Sequence, residues 1–312
     1  MIEFDKFKHL HHAITLLGMS GVGKTHLSSG LRHSANWFHY SADYRIGTRY
    51  LSEHIIDNVK FKIMQMDDPF VPALLKSDSI YIDHNISVDN LEPVSTFLGM
   101  YGDAAERGLD KATFLERQNL YRLAEIDSMK DTGRFIRKAW NIYQCQNFIN
   151  DASGSLCEIV NPEDDADPVL TALNDETLIL YVEADAKAEQ DVLERAKTNP
   201  KPMFYNPDFI APELEDKPED GVGISPLDFA RPLFPKLLEF RKPRYSAIAD
   251  KYGFTISVDD LFQSDSPAVP DSNRVLRNIF QAIGLQVADD PDRERRLEKY
   301  VNICAERQKA RT

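Results

Sequence analysis

Short apolar runs alternate with amphipathic stretches along most of the chain. Compact runs with the length and apolar character of strands lie at residues 12–17, 37–40, 146–151, 177–183 and 254–258. The run at 177–183 is nearly continuous, as expected for a strand buried on both faces of a parallel sheet. Helical spacing is found at about residues 24–32, 44–66, 111–128, 186–197 and 272–283. This alternation predicts a three-layer α/β/α fold with a central parallel sheet.

Three segments fall outside the alternation. A helical insertion is expected at about residues 50–110, and a charged C-terminal helix at about 291–312. Residues 199–235 are rich in proline and acidic residues, so they predict a long loop or lid rather than a regular element. The short run at 79–83 fits either a strand or a turn of buried helix. We expect one domain over residues 1–312, because α/β folds of this length often keep a single core with insertions.

The overall charge restricts the class of partner. Lys and Arg total 37 against 50 Asp and Glu, which gives a formal net charge of −13. Nucleic acid is repelled at long range by such a chain, so no nucleic-acid partner is expected. A nucleotide is still allowed, because a local cationic site acts at contact distance. No segment reaches the roughly 20 apolar residues that span a bilayer, so no membrane partner is expected.

Cysteines and histidines give little support for a metal centre. The three cysteines, Cys145, Cys157 and Cys304, lack metal-ligand spacing and are expected to be free thiols in a reduced compartment. Without a targeting segment at the N-terminus, the sequence predicts a cytoplasmic protein. A cluster of histidines precedes or enters the first strand, and the sequence leaves two interpretations open: a metal site or polar surface positions. Its members are His9, His11 and His12.

One motif carries specific chemistry, the loop Gly18-x-x-x-x-Gly23-Lys24-Thr25 between an apolar run and a helical stretch. Glycines let successive backbone N–H groups curl around phosphate oxygens, and the helix N-terminus adds positive charge there. Lys24 would reach the β and γ phosphates, and the Thr25 hydroxyl would ligate Mg²⁺. The motif therefore predicts binding of ATP and Mg²⁺, with ATP versus GTP left open. The residues expected to contact the nucleotide are Gly18, Ser20, Gly21, Val22, Gly23, Lys24, Thr25 and His26.

Beyond this loop, four segments follow one another in an order that resembles the shikimate kinase-like group of phosphate-loop kinases. They are residues 38–46, 150–155, 180–204 and 241–250. The resemblance implies that Asp43 contacts the phosphate-accepting hydroxyl, that Gly154 touches the acceptor, and that Arg241 holds its carboxylate. Lys201 stands where the family has a lid arginine, and Arg195 keeps an upstream cation that is expected to contact the nucleotide.

The chain also departs from that family. Ser41 stands where the family has the first of two aspartates, which helps to organise Mg²⁺. Leu115 follows the aromatic Phe114 where the family has an arginine, and the stretch at about 50–108 is far longer than the family needs. These departures imply an acceptor other than shikimate.

Several candidate residues have a structural alternative that the sequence leaves open. Asp43 either orients the acceptor and takes its proton or caps the next helix. Asp151, at the end of a strand, is the expected Mg²⁺ carboxylate, and Asp83 is its rival. Lys201 either closes over the phosphates or is solvated. The arginines that could bind phosphate or carboxylate, or pair with the chain's own acids, are Arg195, Arg231, Arg241 and Arg244.

These features predict ATP- and Mg²⁺-dependent phosphoryl transfer to a small hydroxylated, anionic metabolite. The expected roles are catalysis for Lys24, Asp43 and Lys201, acceptor binding for Asp43, Gly154 and Arg241, and metal ligation for Thr25 and Asp151. Two other classes remain open. One is a phosphate-loop ATPase that regulates or assembles a protein partner through the insertion. The other is a kinase of a nucleotide, a nucleotide sugar or a macromolecule, since the motif defines the donor but not the acceptor.

Overall fold

Five strands of the described chain form one sheet in which every neighbouring pair is parallel. The computed structural model describes residues 2–34, 36–262, 271–288 and 290–309. The strands are β1 (Ala13–Leu17), β2 (Trp37–Ser41), β3 (Asn147–Asp151), β4 (Leu178–Glu183) and β5 (Gly253–Ser257). Their order across the sheet is β2-β3-β1-β4-β5. The sheet and its flanking helices confirm the predicted α/β class with a central parallel sheet.

The carboxyl ends of three strands meet at one edge of the sheet. Every residue of β1 and β3 is buried, as their apolar runs predict. The register aligns Leu16 with Asp151 and Asp151 with Ser41. Ligand sites of open α/β sheets form outside this edge, where the connections of neighbouring strands diverge. The chain leaves β1 toward β2 and leaves β4 toward β5, so the divergence lies between β1 and β4, next to the loop after Leu17.

Helices connect the strands and follow the last one. The α-helices are α1 (Phe4–Phe7), α2 (Lys24–Ser34), α3 (Ala42–Arg45), α4 (Ser52–Met64), α5 (Phe70–Lys76), α6 (Glu92–Leu98), α7 (Lys111–Lys130), α8 (Thr132–Asn141), α9 (Leu156–Ile159), α10 (Pro168–Glu176), α11 (Ala186–Thr198), α12 (Pro207–Leu214), α13 (Pro226–Tyr252), α14 (Val258–Phe262), α15 (Ser272–Val287) and α16 (Pro291–Lys309). A π-helix at Ile46–Tyr50 and a 3₁₀ turn at Ala104–Glu106 complete the set.

The connections cover both faces of the sheet. Crossovers between parallel strands are right-handed, so connections that run in opposite directions across the sheet lie on opposite faces. The β1 to β2 connection, which contains α2, runs one way, and the later connections run the other way. Accordingly α2 packs on β2 and β3, while α8, α10 and α13 pack on strands from the opposite side.

The insertion at about 50–110 is helical only in parts. The helix predicted over 44–66 is divided into α3, the π-helix and α4. The run at 79–83 is neither a strand nor a buried helical turn, and Tyr81 within it is 89% exposed. Asp83 therefore does not end a strand, and its exposed carboxylate accepts a hydrogen bond from the backbone of His84. Asp83 was an alternative Mg²⁺ ligand because it was expected to end a strand, and that expectation is wrong.

The prediction of a lid without regular structure at 199–235 is also wrong. This segment contains α12 and the beginning of α13, which continues to Tyr252. Pro207 and Pro226 each stand in the first turn of a helix, where the missing N–H costs nothing, and the Asn206 side chain caps α12. These two prolines thus mark helix starts, while Pro212 lies inside α12 and Pro232 and two further prolines lie inside α13.

A second, smaller core joins this segment to the start of α7. It consists of buried side chains from residues 101–114, residues 205–214 and the first half of α13, namely Tyr101, Phe114, Tyr205, Ile210, Leu214, Phe229, Leu233 and Leu237. The Tyr101 hydroxyl donates to the carbonyl of Pro218, at 2.6 Å. The segment is therefore packed as part of the fold. Among the described residues, no helix combines the length and the apolar character needed to cross a membrane.

Candidate active site

The glycine loop after β1 has the backbone geometry that its sequence requires. Gly18, Gly21 and Gly23 have φ of 144°, 93° and 93°, a region that residues with a side chain rarely adopt. A Cβ on Gly18 would lie 2.7 Å from the carbonyl oxygen of Val182 on β4. The loop is thus pressed against the edge of β4 before the chain enters α2, and only glycine fits at its first position.

Lys24 closes the loop from the first turn of α2. Its ammonium donates to the carbonyls of Gly18 and Met19, at 2.7 and 2.9 Å, and the residue is buried. Burial lowers the pKa of Lys24, while the nearby carboxylates of Asp151 and Asp43 act in the opposite direction. A buried ammonium that spans the loop is a cation in position to move onto a phosphate oxygen.

The other loop residues divide into buried and accessible ones. Val22 is buried and belongs to the main core, whereas Ser20, Thr25 and His26 are exposed. Gly21 lies beside Arg195 of α11, since a Cβ on that glycine would be 2.9 Å from a guanidinium nitrogen. The structure therefore brings Arg195 to the loop, as the sequence predicts, and leaves the Thr25 side chain accessible at the helix N-terminus.

Asp43 lies in α3, directly after β2, and does not cap that helix. The cap is Ser41, whose hydroxyl accepts from the backbone N–H of Tyr44 at 3.3 Å. The Asp43 carboxylate instead accepts from the hydroxyl of Tyr121 on α7, at 3.2 Å. The reading of Asp43 as a helix cap is therefore wrong.

The charge environment of Asp43 favours proton uptake. Burial raises the pKa of Asp43, and the negative charge of Asp151 adds to the rise. Lys24 and the hydrogen bonds of Ser153 and Tyr121 act against it. A carboxylate whose pKa is raised is a better general base than a free one, because it accepts a proton more readily near neutral pH.

Asp151 ends β3 at the same edge of the sheet. Its side chain is largely buried, and one oxygen lies 3.5 Å from the Nε2 atom of His39 on β2. Its charge also acts on both Lys24 and Asp43. A carboxylate in this position is a candidate ligand for Mg²⁺, together with the hydroxyl of Thr25. No group of three or more His, Cys, Asp and Glu in the described part of the chain is placed to hold a metal ion.

Gly154 is wedged between the glycine loop and α13. A Cβ at this position would lie 2.9 Å from the backbone nitrogen of Ser20. On the other side, the hydroxyl of Tyr245 donates to the Gly154 carbonyl at 2.5 Å. The glycine is thus needed for close approach of the two loops, which places the turn after β3 directly against the phosphate loop.

Arg241 is not free to face an acceptor. It is 4% exposed, and its guanidinium donates to the Glu158 carboxylate of α9, with Nε 2.7 Å from Oε1. It also donates to the carbonyl of Phe204, at 3.2 Å. Burial raises the pKa of Glu158, and the charge of Arg241 opposes the rise. The expectation that Arg241 holds the acceptor's carboxylate is therefore wrong, because Arg241 forms an internal ion pair with Glu158.

The remaining predicted cations lie farther out. Arg231 is exposed and pairs with Asp228 at 2.7 Å, and Arg244 lies over the ring of Phe240. Lys201 is exposed in the irregular stretch between α11 and α12. That stretch continues to Met203, which lines a small cavity with Met19 and Ser20 of the phosphate loop. Lys201 is thus two residues before Met203, which lines the same cavity as Met19 and Ser20 of the loop.

His12 belongs to the core rather than to a metal cluster or the surface. Its Nδ1 lies 3.0 Å from the Tyr300 hydroxyl, and its Nε2 lies 3.0 Å from the carbonyl of Phe7. Burial lowers the pKa of His12 to about 4. The ring is therefore neutral at physiological pH and serves to join the N-terminal segment to α16.

Sequence reasoning did not find the polar groups behind Asp43. Tyr121 and Glu125 of α7, with Ser153 and Ser155 after β3, are all buried and hydrogen-bonded to one another. The sequence feature that could have shown them is the presence of polar side chains on a face of α7 that is expected to be apolar. Tyr121 and Glu125 are four residues apart and so lie on one face of the helix.

Comparison with known proteins gives no relative. No protein-family model matches the chain, and the searches of curated proteins and of solved structures also give no match.

Proposed function

We propose that this chain is a phosphate-loop kinase that transfers the γ-phosphoryl group of ATP, with Mg²⁺, to a hydroxyl of a small metabolite. The observation that carries the proposal is the glycine loop at the β1 carboxyl end, with Lys24 inside it and Asp43 at the same edge of the sheet. On this proposal the parallel sheet and its helices form a phosphate-loop kinase-like, three-layer fold.

The donor would be held by the loop and the start of α2. Backbone N–H groups of residues 20–25 and the positive end of the α2 dipole suit the β phosphate and its neighbours. Lys24 would exchange its bonds to the Gly18 and Met19 carbonyls for phosphate oxygens. Arg195, beside Gly21, and the accessible His26 would add contacts at the rim.

Thr25 and Asp151 would hold Mg²⁺, which neutralises charge on the phosphates when bound. The donor set fits this ion, since a hydroxyl and a carboxylate are the hard oxygen ligands that it prefers, with water and phosphate oxygens completing the shell. Both residues adjoin the loop: Asp151 is aligned with Leu16 just before it, and Thr25 is its last residue.

The transfer step would use Asp43 as the base. A new bond forms between the acceptor oxygen and the γ phosphorus, while the bond from that phosphorus to the bridging oxygen breaks and ADP leaves with the electron pair. The proton of the acceptor hydroxyl passes to the Asp43 carboxylate late in transfer. Lys201 would reach the phosphates only if the stretch before α12 moves toward the loop.

The anionic character of the acceptor has less support than its hydroxyl. That expectation depended on Arg241, which is neutralised by Glu158. Arg195 and Lys201 are the remaining cations near the phosphate loop for which no acidic partner is found in the described chain. The proposed acceptor is therefore a small hydroxylated metabolite, and an anionic one would have to use these outer cations.

The direct test is incubation of the purified protein with Mg²⁺ and γ-labelled ATP, with and without a deproteinised metabolite extract. A new labelled compound that is absent with Lys24→Ala supports the kinase. Asp43→Asn should bind ATP normally but lose transfer. A matched control is Lys130→Ala, which changes an exposed lysine that pairs with Asp127 and should leave turnover unchanged.

A regulator with ATPase activity is the second candidate, favoured by apolar side chains on the insertion. Phe61, Phe70 and Tyr81 are 60%, 67% and 89% exposed, and exposed aromatic surface is typical of protein-binding faces. Release of free phosphate that the metabolite extract does not change, with no labelled compound, would support this candidate against the kinase.

A further inference from the structure

A chain of three hydroxyl groups joins Asp43 to the buried carboxyl of Glu125. The Tyr121 hydroxyl lies 3.2 Å from Asp43 Oδ1 and 3.2 Å from Ser153 Oγ. Ser153 Oγ lies 2.9 Å from Ser155 Oγ, which lies 2.7 Å from Glu125 Oε2. The four contacts are all within hydrogen-bond distance and connect the proposed base to the interior of the protein.

The four contacts can all be hydrogen bonds only if one of the two carboxyls is protonated. Each hydroxyl supplies one hydrogen, so Tyr121, Ser153 and Ser155 supply three for four contacts. In a fully bonded chain the fourth hydrogen comes from Asp43 or from Glu125. If Glu125 holds it, every bond in the chain points toward Asp43, which is then an ionised acceptor. If Asp43 holds it, every bond points the other way and the proposed base is blocked.

The surroundings of Glu125 place the proton at that end. Glu125 is fully buried, and its Oε1 atom has no hydrogen-bond partner among the described residues. An unpaired oxygen is far less costly on a neutral acid than on a carboxylate. Burial raises the pKa of Glu125 to about 8, so the carboxyl is neutral at physiological pH.

The groups that act on Glu125 come from several elements. The charges of Asp43 and Glu158 raise its pKa, while the Ser155 hydroxyl and the charge of Arg241 lower it. Further titratable groups in this region are Tyr121, on the same helix, and Cys157, on α9, for both of which burial raises the pKa.

We propose that Glu125 is a positioning residue that donates the fourth proton to the hydroxyl chain and so keeps the Tyr121 hydroxyl directed at an ionised Asp43. The inference rests on the proposed role of Asp43 as the base for phosphoryl transfer. When Glu125 ionises, three hydrogens must serve four contacts between two carboxylates, and one bond of the chain is lost. Asp43 then loses the fixed orientation that the chain provides.

The pH profile of turnover tests this role with three variants. In the wild type, kcat should fall above about pH 8 as Glu125 loses its proton. Glu125→Gln keeps an N–H donor toward Ser155, so it should retain most of the activity and lose this alkaline decline. Tyr121→Phe should lower kcat by about ten- to a hundred-fold, since it removes a hydrogen bond to the charged Asp43. Glu125→Ala should also lower kcat, since it removes the hydrogen that directs the chain toward Asp43. Thermal unfolding would show whether each variant is folded.

An infrared measurement separates this inference from the proposed function. The difference spectrum between wild type and Glu125→Gln should show the carbonyl band of a protonated acid at about pH 6 and its loss at about pH 9.5. An ionised Glu125 at the lower pH would overturn the proposal, and so would an alkaline decline that persists in Glu125→Gln. If the band is seen but no acceptor is ever phosphorylated, the hydrogen chain stands and the kinase is wrong, which removes the catalytic role.

Discussion

The Arg241–Glu158 pair gives the clearest test of whether the interior of the site is structural or binds the acceptor. Both side chains are at most 5% exposed, and the guanidinium contacts one carboxylate oxygen through two nitrogens. The second carboxylate oxygen accepts from the backbone of Asn206, at 2.7 Å. Removal of either partner leaves the other as an unpaired buried charge, which typically costs about 3–5 kcal/mol.

The perturbation is a double-mutant cycle with Arg241→Met, Glu158→Leu and the combined variant. Each single variant should lower the free energy of unfolding by about 3–5 kcal/mol. The combined variant should lose much less stability than the sum of the two single losses. The reason is that two apolar side chains of similar volume replace two charges whose burial is unfavourable. Urea unfolding followed by the fluorescence of Trp37 and Trp140 would supply the free energies.

An opposite pattern would refute the structural role. If Arg241→Met loses less than about 1 kcal/mol of stability but raises the KM for the acceptor at unchanged kcat, the guanidinium contacts the acceptor directly. Arg241→Lys serves as a matched control, since it keeps the charge and loses the bidentate geometry. It should fall between wild type and Arg241→Met in stability.

Two other predictions follow from single contacts. Gly154→Ala would place a Cβ against the backbone of Ser20, so the KM for ATP should rise about ten-fold or more in a protein that still folds, while Tyr245→Phe should have a smaller effect. His12 has a pKa of about 4 when folded against 6.5 when unfolded, so the unfolded chain takes up its proton first as the pH falls. Acidification from about pH 6.5 to 4 should therefore cost about 3 kcal/mol of stability, and His12→Gln should reduce this loss in pH-dependent urea unfolding.

The strands and the phosphate loop could be predicted because their signals are local. A strand buried on both faces needs a continuous apolar run, and the runs at β1, β3 and β4 lie within two residues of the observed strands. The loop needs glycine where the backbone adopts positive φ, so the glycine spacing in the sequence is enough to predict the roles of Gly18, Gly21 and Gly23. Asp151 then follows from the rule that carboxyl ends of parallel strands meet at one edge, whereas Asp43 was predicted from the family resemblance.

The contacts that decide specificity could not be read in this way. The pairing of Arg241 with Glu158 joins residues 83 positions apart, and no local pattern shows which acid an arginine will meet. The helices within 199–235 were missed because proline was taken as a breaker, although Pro207 and Pro226 stand where proline is compatible with a helix start. Tyr121 and Glu125 have no distinguishing pattern on their amphipathic helix. Their role depends on Ser153 and Ser155 in the turn after β3, which the fold brings beside them.

If the loop binds a nucleotide as proposed, the charges around it explain why a divalent cation would be needed. If Glu125 is neutral and Arg241 is cancelled by Glu158, the charges that remain next to the loop are Asp43, Asp151, Lys24 and Arg195. These two carboxylates and two cations cancel, so the protein alone supplies no net positive charge for the phosphates. Mg²⁺ held at Thr25 and Asp151 would add two positive charges, which offset the Asp151 carboxylate and part of the charge on the phosphates. Asp43 is not one of the proposed ligands of the ion, so its carboxylate would stay available to take up a proton as a general base.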